Sequence, residues 1–211
     1  MSIQEYRGKR ITIRFDGKKC IHSRHCVLGR PDVFVPNAEG PWIKPDNAAP
    51  EAIAALVLAC PSGALGFERL DGGENETAPA VNVVRVLESG PLAFHADLAI
   101  EGQARGFRAT LCRCGASRNK PFCDRRHDAI AFRATGEPAS QDSAPLARRN
   151  GRLEISPLPN GPLKVEGALE VCSGTGRTVT RTAVAYLCRC GGSSTKPFCD
   201  GTHTKIGFAT E

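Results

Sequence analysis

The chain has 211 residues, a formal charge of +6 from 28 Lys and Arg against 22 Asp and Glu, and 41% apolar residues. This length and apolar content suit one large domain or two small ones. No stretch approaches the roughly 20 consecutive apolar residues of a membrane helix, and Met1 to Arg10 is too polar for a secretory signal. We therefore expect a cytoplasmic protein with no membrane partner.

Ten cysteines stand out in this composition. A reducing cytosol keeps thiols available as ligands, so the cysteines favour metal binding over a disulfide framework. Thiolates around bound metal would also offset part of the positive charge. Because basic and aromatic residues are not interleaved as in proteins that bind single strands, we expect no nucleic-acid partner.

The first part of the chain, residues 1–72, has a pattern of its own and is predicted to be a separate module. Its predicted elements are a strand over Arg10 to Phe15 and a helix from Pro50 through Ala59. Proline suits the first helical position, and Pro61 with Gly63 ends the apolar helical pattern. The acidic, glycine-rich stretch from Asp71 to Pro79 is typical of a linker.

Three cysteines of this module form a candidate cluster site, Cys20 and Cys26 in a loop and Cys60 before a proline. Single-cluster bacterial ferredoxins, which this pattern resembles, use C-x2-C-x2-C and a distant Cys-Pro, but here Ser23 holds the middle position. Three thiolates suffice for a [3Fe-4S] cluster. A [4Fe-4S] cluster needs Ser23, a nearby histidine or solvent on its fourth iron. The alternative is that the cysteines are buried structural residues or a degenerate remnant.

The rest of the chain contains an internal repeat. Leu111 to His127 aligns without a gap on Leu187 to His203, and a Gly-Pro-Leu triplet precedes each copy. Alternating apolar residues around both copies predict strands, and a polar connection joins the repeats over 137–150. The predicted strands are Val81 to Leu87, Leu92 to Ile100, Phe107 to Leu111, Leu153 to Ile155, Leu163 to Val171 and Val179 to Leu187.

Each copy carries the spacing C-x-C-x8-C-x3-H, which is typical of a [2Fe-2S] site. The ligand candidates are Cys112, Cys114, Cys123 and His127 in the first copy and Cys188, Cys190, Cys199 and His203 in the second. We expect the C-x-C pair to bind one iron from a tight turn, and the later Cys and His to project from one face of a short helix onto the other. Asp124 and Asp200 are expected to cap that helix. A structural zinc site, which also uses three cysteines and one histidine, is the alternative.

These residues resemble the CDGSH, or mitoNEET-like, iron-sulfur proteins. The second copy matches the family pattern throughout, whereas the first has Arg125 and Arg126 where the family has Gly and a small residue. The resemblance covers repeats at 79–136 and 150–211, and its motif includes Ser117 and Ser193 near the cofactor. It implies a monomer with an internal pseudo-dyad, since family members with one motif form two-cluster homodimers. The segment from Pro41 to Asp46 also resembles the divergent mono-cluster ferredoxin domain met beside such motifs.

The predicted fold class is α+β, with a small ferredoxin-like module followed by a pseudo-twofold β-sandwich that carries two CDGSH modules. The predicted function is electron transfer or cluster transfer to redox or apo-acceptor proteins, by two [2Fe-2S] clusters and a third cluster, without catalysis. The alternatives are a subunit that wires an oxidoreductase and a zinc-dependent interaction module. His22, His25, His95 and Cys172 are predicted not to be ligands.

Overall fold

The computed structural model describes residues 3–210, and the contacts divide the chain between Thr77 and Ala78 into two units of mixed α and β structure. Among the described residues, no helix has the length and apolar character needed to cross a bilayer. The elements of the first unit are strands β1 (Gln4–Arg7), β2 (Ile11–Phe15) and β3 (Leu65–Arg69), helices α1 (His25–Gly29) and α2 (Pro50–Leu58), and a 3-10 turn at Pro45–Asn47.

The first unit packs one apolar helix against an antiparallel sheet of order β1-β2-β3. Ile11 and Ile13 alternate on the buried face of β2, where they contribute to one cluster with Ile53 and Val57 of α2. Helix α2 begins at Pro50, as the sequence predicts. The strand predicted from Arg10 begins one residue later.

The second unit contains six strands and two short helices in its described residues. They are β4 (Val83–Val86), β5 (Leu92–Ile100), β6 (Gln103–Leu111), α3 (Arg126–Ala129), β7 (Arg152–Pro157), β8 (Leu163–Ser173), β9 (Thr178–Leu187) and α4 (Thr202–Lys205). The predicted strand over Leu92 to Ile100 is confirmed at both ends. The prediction for β6 was too short by four residues, because Gln103 to Gly106 are too polar and glycine-rich to give an apolar alternation.

Strands β4 and β7 each pair with both repeats. The first half of β5 pairs antiparallel with β4 and its second half parallel with β7, where Leu98 faces Leu153. The first half of β8 likewise pairs antiparallel with β7 and its second half parallel with β4, where Val171 faces Val84. The short strand of each repeat, β4 or β7, is therefore hydrogen-bonded to the long strand of the other repeat, β8 or β5. Both edges of β4 and of β7 are paired in this way.

The core of the second unit is formed by inward-facing residues of all six strands, and both repeats contribute equivalent positions to it. Leu92 and Leu163 are fully buried at the start of β5 and β8, and Leu111 and Leu187 are fully buried at the last residue before each C-x-C pair. The chain therefore enters each predicted ligand site directly from the core, which fixes the backbone at that point.

The connection between the repeats is tied down by one buried carboxylate. Glu170 of β8 is 4% exposed at its side chain, and it accepts a hydrogen bond of 2.6 Å from Nε of Arg149 and lies 3.4 Å from Nε of Arg181. The hydrogen bond from Arg149 holds the pKa of Glu170 below its usual value. Asn82 binds the same region, since its side-chain amide donates to the carbonyl groups of Gly151 and Ala168.

We expect Glu170→Gln to lower the free energy of unfolding by about 1–3 kcal/mol at pH 7, because two guanidinium groups lose a charged acceptor that is sheltered from water. Urea unfolding followed by circular dichroism measures this change. Glu166→Gln on the same strand is the control, since Glu166 is half exposed in its ion pair with Lys164 and should contribute less than about 0.5 kcal/mol. Equal effects of the two variants would contradict the assigned role of Glu170.

Candidate metal centres

The first predicted ligand set lies in two pairs at the end of β6. Sγ of Cys112 is 3.8 Å from Sγ of Cys114, and Sγ of Cys123 is 3.5 Å from Nδ1 of His127. Cys112 and Cys123 are buried, whereas His127 keeps 12% of its side chain exposed. We call this arrangement the first cradle.

The second ligand set, the second cradle, repeats this geometry at the end of β9. The Sγ atoms of Cys188 and Cys190 are 3.7 Å apart, and Sγ of Cys199 is 3.4 Å from Nδ1 of His203. Each distance therefore agrees with its counterpart in the first cradle within 0.1 Å. In both cradles, backbone hydrogen bonds bring the C-x-C pair close to the Cys-His pair.

Backbone hydrogen bonds close each loop between the C-x-C pair and the third cysteine. The amide of Cys112 donates to Pro121 at 2.8 Å, and the amide of Cys123 donates to Thr110 at 3.0 Å. The equivalent bonds of the second cradle run from Cys188 to Pro197 and from Cys199 to Tyr186. Both Lys-Pro peptide bonds in these loops are cis.

The prediction that the third cysteine and the histidine share a helix was wrong. Helices α3 and α4 begin at Arg126 and Thr202, so the histidine is helical but the cysteine precedes the helix by three residues. The residue before each helix has a left-handed φ, 69° at Arg125 and 83° at Gly201, which helical backbone cannot have. Arg125 thus keeps the conformation of its glycine counterpart at some steric cost.

The predicted aspartates and serines organise the loops. Asp124 accepts the amides of Arg118 and Arg126, and its counterpart Asp200 accepts those of Ser194 and Thr202. Each aspartate therefore joins the loop to the first residue of the helix, as the predicted cap requires.

Ser117 and Ser193 are 2% exposed, and each donates to the carbonyl group of the phenylalanine before the third cysteine. Ser117 also accepts the amide of Asn119. Because these hydroxyl groups are engaged with backbone, the visible role of both serines is to hold the loop.

A hydrogen bond between two thiols of the first cradle shifts their pKa values in opposite directions. The pKa of Cys112 is lowered to about 6, first by the hydrogen bond from the Cys114 thiol and then by nearby backbone amides, while the same bond raises the pKa of Cys114. Burial raises the pKa of Cys123 to about 11 and lowers that of His127. Backbone N–H groups face sulfur in both cradles, from Arg125 to Cys123 at 3.4 Å and from Gly201 to Cys199 at 3.5 Å.

Sequence reasoning missed the arginine between the two cysteines of each C-x-C pair. Arg113 is 1% exposed, and its guanidinium donates to the carbonyl groups of Gly90, Leu87, Ala134 and Thr135 at 2.6 to 3.2 Å. Arg189 is 3% exposed and donates to Gly161 and Leu158. Burial lowers the pKa of Arg113 to about 10. The repeated Cys-Arg-Cys triplet was the signal that could have identified these residues.

The two cradles touch each other through the glycine that follows each C-x-C pair. A Cβ atom on Gly115 would lie 2.5 Å from the carbonyl oxygen of Cys190, and one on Gly191 would lie 2.6 Å from that of Cys114. Both glycines have a left-handed φ, 82° and 81°. Glycine is therefore required at both positions, by conformation and by space.

The first unit places its three predicted cysteines around one cavity of about 220 Å³. Its lining residues include Cys20, Ser23, Cys26 and Cys60, together with His22 and His25. The loop reaches the cavity through left-handed backbone at His22 and Arg24, which flank Ser23. Burial, with smaller contributions from Cys60 and Cys20, raises the pKa of Cys26. The prediction that Cys26 lies in a loop was wrong, since Cys26 is the second residue of helix α1. His25 begins this helix, and its Nδ1 lies 3.3 Å from the carbonyl oxygen of Ala59.

The donor sets have the chemistry of iron-sulfur sites. Within residues 3–210, no group of three or more Cys, His, Asp or Glu side chains converges closely enough to hold one metal ion. All ten cysteines are present as thiols. Thiolate and imidazole groups are the donors that iron-sulfur clusters use, and the cradles and the cavity present them.

Family comparisons divide the chain in the same way as its motifs. Residues 6–69 match the family of divergent 4Fe-4S mono-cluster domains, and residues 85–128 and 160–204 match the iron-binding zinc finger of CDGSH type. The predicted resemblance is thereby confirmed for the N-terminal module and for both repeats.

Two relatives support this assignment. The uncharacterised protein YjdI of Escherichia coli K12 is 36% identical over 62 residues, which are 29% of this chain and 80% of YjdI. The mouse CDGSH iron-sulfur domain-containing protein 1 is 34% identical over 80 residues, which are 36% of this chain and 70% of the mouse protein. No solved structure matches the chain significantly. The chain therefore belongs to the CDGSH iron-sulfur proteins and carries a divergent 4Fe-4S mono-cluster domain ahead of two CDGSH modules.

Proposed function

We propose that this iron-sulfur protein transfers electrons through one [2Fe-2S] cluster in each cradle and a third cluster in the N-terminal unit. Iron-sulfur clusters supply one-electron oxidation and reduction with little change in the structure around them. The observation that carries the proposal is the division of each donor set into a C-x-C pair and a Cys-His pair, with the same distances in both cradles. Each pair would hold one iron, and a tetrahedral zinc site would instead need four donors around one point.

The third cluster would be held by Cys20, Cys26 and Cys60 in the cavity of the first unit. Three thiolates complete a [3Fe-4S] cluster, and in a [4Fe-4S] cluster Ser23, a neighbouring histidine or solvent would complete the fourth iron. The match of residues 6–69 to a 4Fe-4S mono-cluster family supports a cluster here.

Electron transfer is favoured over release of whole clusters because each cradle is rigidly built. The first cysteine of each C-x-C pair is buried, the arginine between the cysteines is bonded to backbone, and the turns of both cradles press on each other. A cradle that has to open to release its cluster would lose these contacts, whereas an electron needs no such opening.

We further propose a monomer whose six strands form a pseudo-twofold β-sandwich, with a cytoplasmic location and no catalytic centre of its own. The reciprocal pairing of β4 with β8 and of β7 with β5 supports the pseudo-dyad. Its partners would be redox proteins. The same clusters would also serve if the chain were a subunit that connects the redox centres of an oxidoreductase.

The N-terminal cluster is tested by iron content. We expect anaerobically purified protein to contain about seven or eight irons per chain, and Cys26→Ser to retain about four, because two [2Fe-2S] clusters remain. Iron and acid-labile sulfide analysis measures both values. Cys172→Ser is the control, since Cys172 is buried in β8 away from the ligand motifs and its loss should leave the iron content unchanged. About four irons in the wild-type protein would contradict a third cluster.

The histidine ligands are tested by reduction potential. His203→Cys replaces a neutral imidazole by a thiolate, and the added negative charge should lower the potential of one cluster by at least about 100 mV without removing its iron. EPR-monitored redox titration resolves this change, and the other [2Fe-2S] cluster should be unaffected. His95→Gln, at an exposed position of β5, should change neither potential. An unchanged potential in His203→Cys would exclude His203 as a ligand.

Electron transfer and cluster transfer are separated by mixing the reduced protein with apo-ferredoxin and, in parallel, with oxidised holo-ferredoxin. We expect the clusters to remain on this chain in the first mixture, because the cradles are rigid, and electron exchange in the second to complete within seconds. Visible circular dichroism and iron analysis after separating the two proteins measure both outcomes. Appearance of iron in the apo-ferredoxin would replace the electron-transfer function by cluster delivery.

A further inference from the structure

The two cradles differ in the charge of the surface around them. Residues 118–128 carry four Lys or Arg against two Asp, whereas the equivalent residues 194–204 carry one cation and one carboxylate. The difference arises because Arg118, Arg125 and Arg126 stand where the second repeat has Ser194, Gly201 and Thr202. The ligands and loop-closing residues are the same in both repeats. The repeats therefore differ at the surface around each cradle, which we call its rim.

Two of the additional cations line an open depression of about 390 Å³ beside the first cradle. Its lining consists of Arg118, Lys120 and Arg126 together with Gly115, Ala116, Ser117 and Thr210. Arg118 is exposed, and the side chain of Arg126 is 35% exposed. The depression therefore offers positive charge to solvent within one or two residues of the ligands Cys114 and His127.

The carboxylates of this segment do not neutralise the surface. Asp128 pairs with Arg125 at 2.8 Å, and Asp124 lies 3.7 Å from Arg126 while it accepts two backbone amides. In the described part of the chain, Arg118 and Lys120 have no ion-pair partner, although Lys120 lies 5.9 Å from the centre of the Phe208 ring. Two cations are thus available to an external anion.

We propose that this surface, defined by Arg118, Lys120, Arg125 and Arg126, docks the acidic face of a redox partner protein, and that the first cradle is the port through which electrons enter or leave. Its cations are spread along an exposed rim, as charges that steer a protein partner are, and do not converge on a buried pocket as in a small-molecule site. The inference rests on the proposed electron transfer. One electron passes from the reduced iron of the partner to the oxidised cluster of this chain, and no bond forms or breaks.

The second repeat supplies the design of the test. The swap variant Arg118→Ser, Arg125→Gly, Arg126→Thr gives the first rim the residues of the second, and glycine is favourable at the left-handed position 125. A control variant, Arg148→Ser, Arg152→Ser, Lys164→Thr, removes the same formal charge from positions outside the surface. Iron content and visible spectra are measured first, so that a failure of the proposed cluster binding is recognised before docking is examined.

The probe is a small acidic [2Fe-2S] ferredoxin, reduced and mixed with the oxidised full-length chain in a stopped-flow instrument. For the wild type we expect the second-order rate constant to fall about tenfold between roughly 20 mM and 500 mM salt. The swap variant should be about tenfold slower at low salt and nearly independent of salt, while the control changes less than about twofold. The reverse variant Ser194→Arg, Thr202→Arg should be faster than the wild type.

Binding is measured separately with both proteins oxidised, by fluorescence anisotropy of labelled ferredoxin, so that no electron transfer is involved. The swap variant should bind about tenfold more weakly than the control. Equal rates and affinities for the swap and control variants would overturn the proposal, because only net charge would then matter. Inhibition by inorganic phosphate beyond that of chloride at equal ionic strength would also overturn it, in favour of a small-anion site.

Discussion

The close approach of the two C-x-C turns is the constraint on which the second unit depends. The backbone of each turn occupies the space where the other would have a Cβ atom, at Gly115 against Cys190 and at Gly191 against Cys114. Neither cradle can therefore reach its final geometry without the other. The pairing of β4 with β8 and of β7 with β5 supports the same contact, because it fixes β5 and β8. The strands that lead into the turns, β6 and β9, are paired with these two strands. Tandem duplication within one chain makes this mutual fit independent of protein concentration.

Two buried guanidinium groups, those of Arg113 and Arg189, belong to these turns. A cluster held by thiolates would bring negative charge into a partly buried site, and burial of an uncompensated charge is costly. Arg113 keeps a buried cation near Cys114, held by hydrogen bonds to backbone carbonyl groups and by the charge of Glu88. Its charge also interacts with Cys188, and that of Arg189 with Cys112. Each arginine therefore lies within electrostatic range of a cysteine of the opposite cradle.

The sequence predicts those features that are local or duplicated. The strand over Leu92 to Ile100 has a clear alternation of apolar residues, and the spacing of the predicted ligands occurs twice in the chain. The sequence could not predict β1, Gln4–Arg7, because its side chains are mostly exposed and lack an apolar face. It also could not predict the parallel pairing of β4 with β8, since alternation identifies a strand but not its neighbour. The burial of Arg113 was missed because arginine is rarely buried without a carboxylate partner.

The comparison of the two repeats separates positions that hold a cradle from positions that face a partner. Residues that close the loop or fill the contact between cradles, such as Ser117 and Gly115, have the same identity in both copies. Arg125 has the left-handed backbone of its counterpart Gly201 despite its side chain, so the first repeat accepts a conformational cost of order 1 kcal/mol at that residue. A surface cation that gave only solubility could stand anywhere without strain. Its position beside the first cradle therefore argues that its charge is needed there, and supports the proposal that a partner docks at this cradle and not at the other.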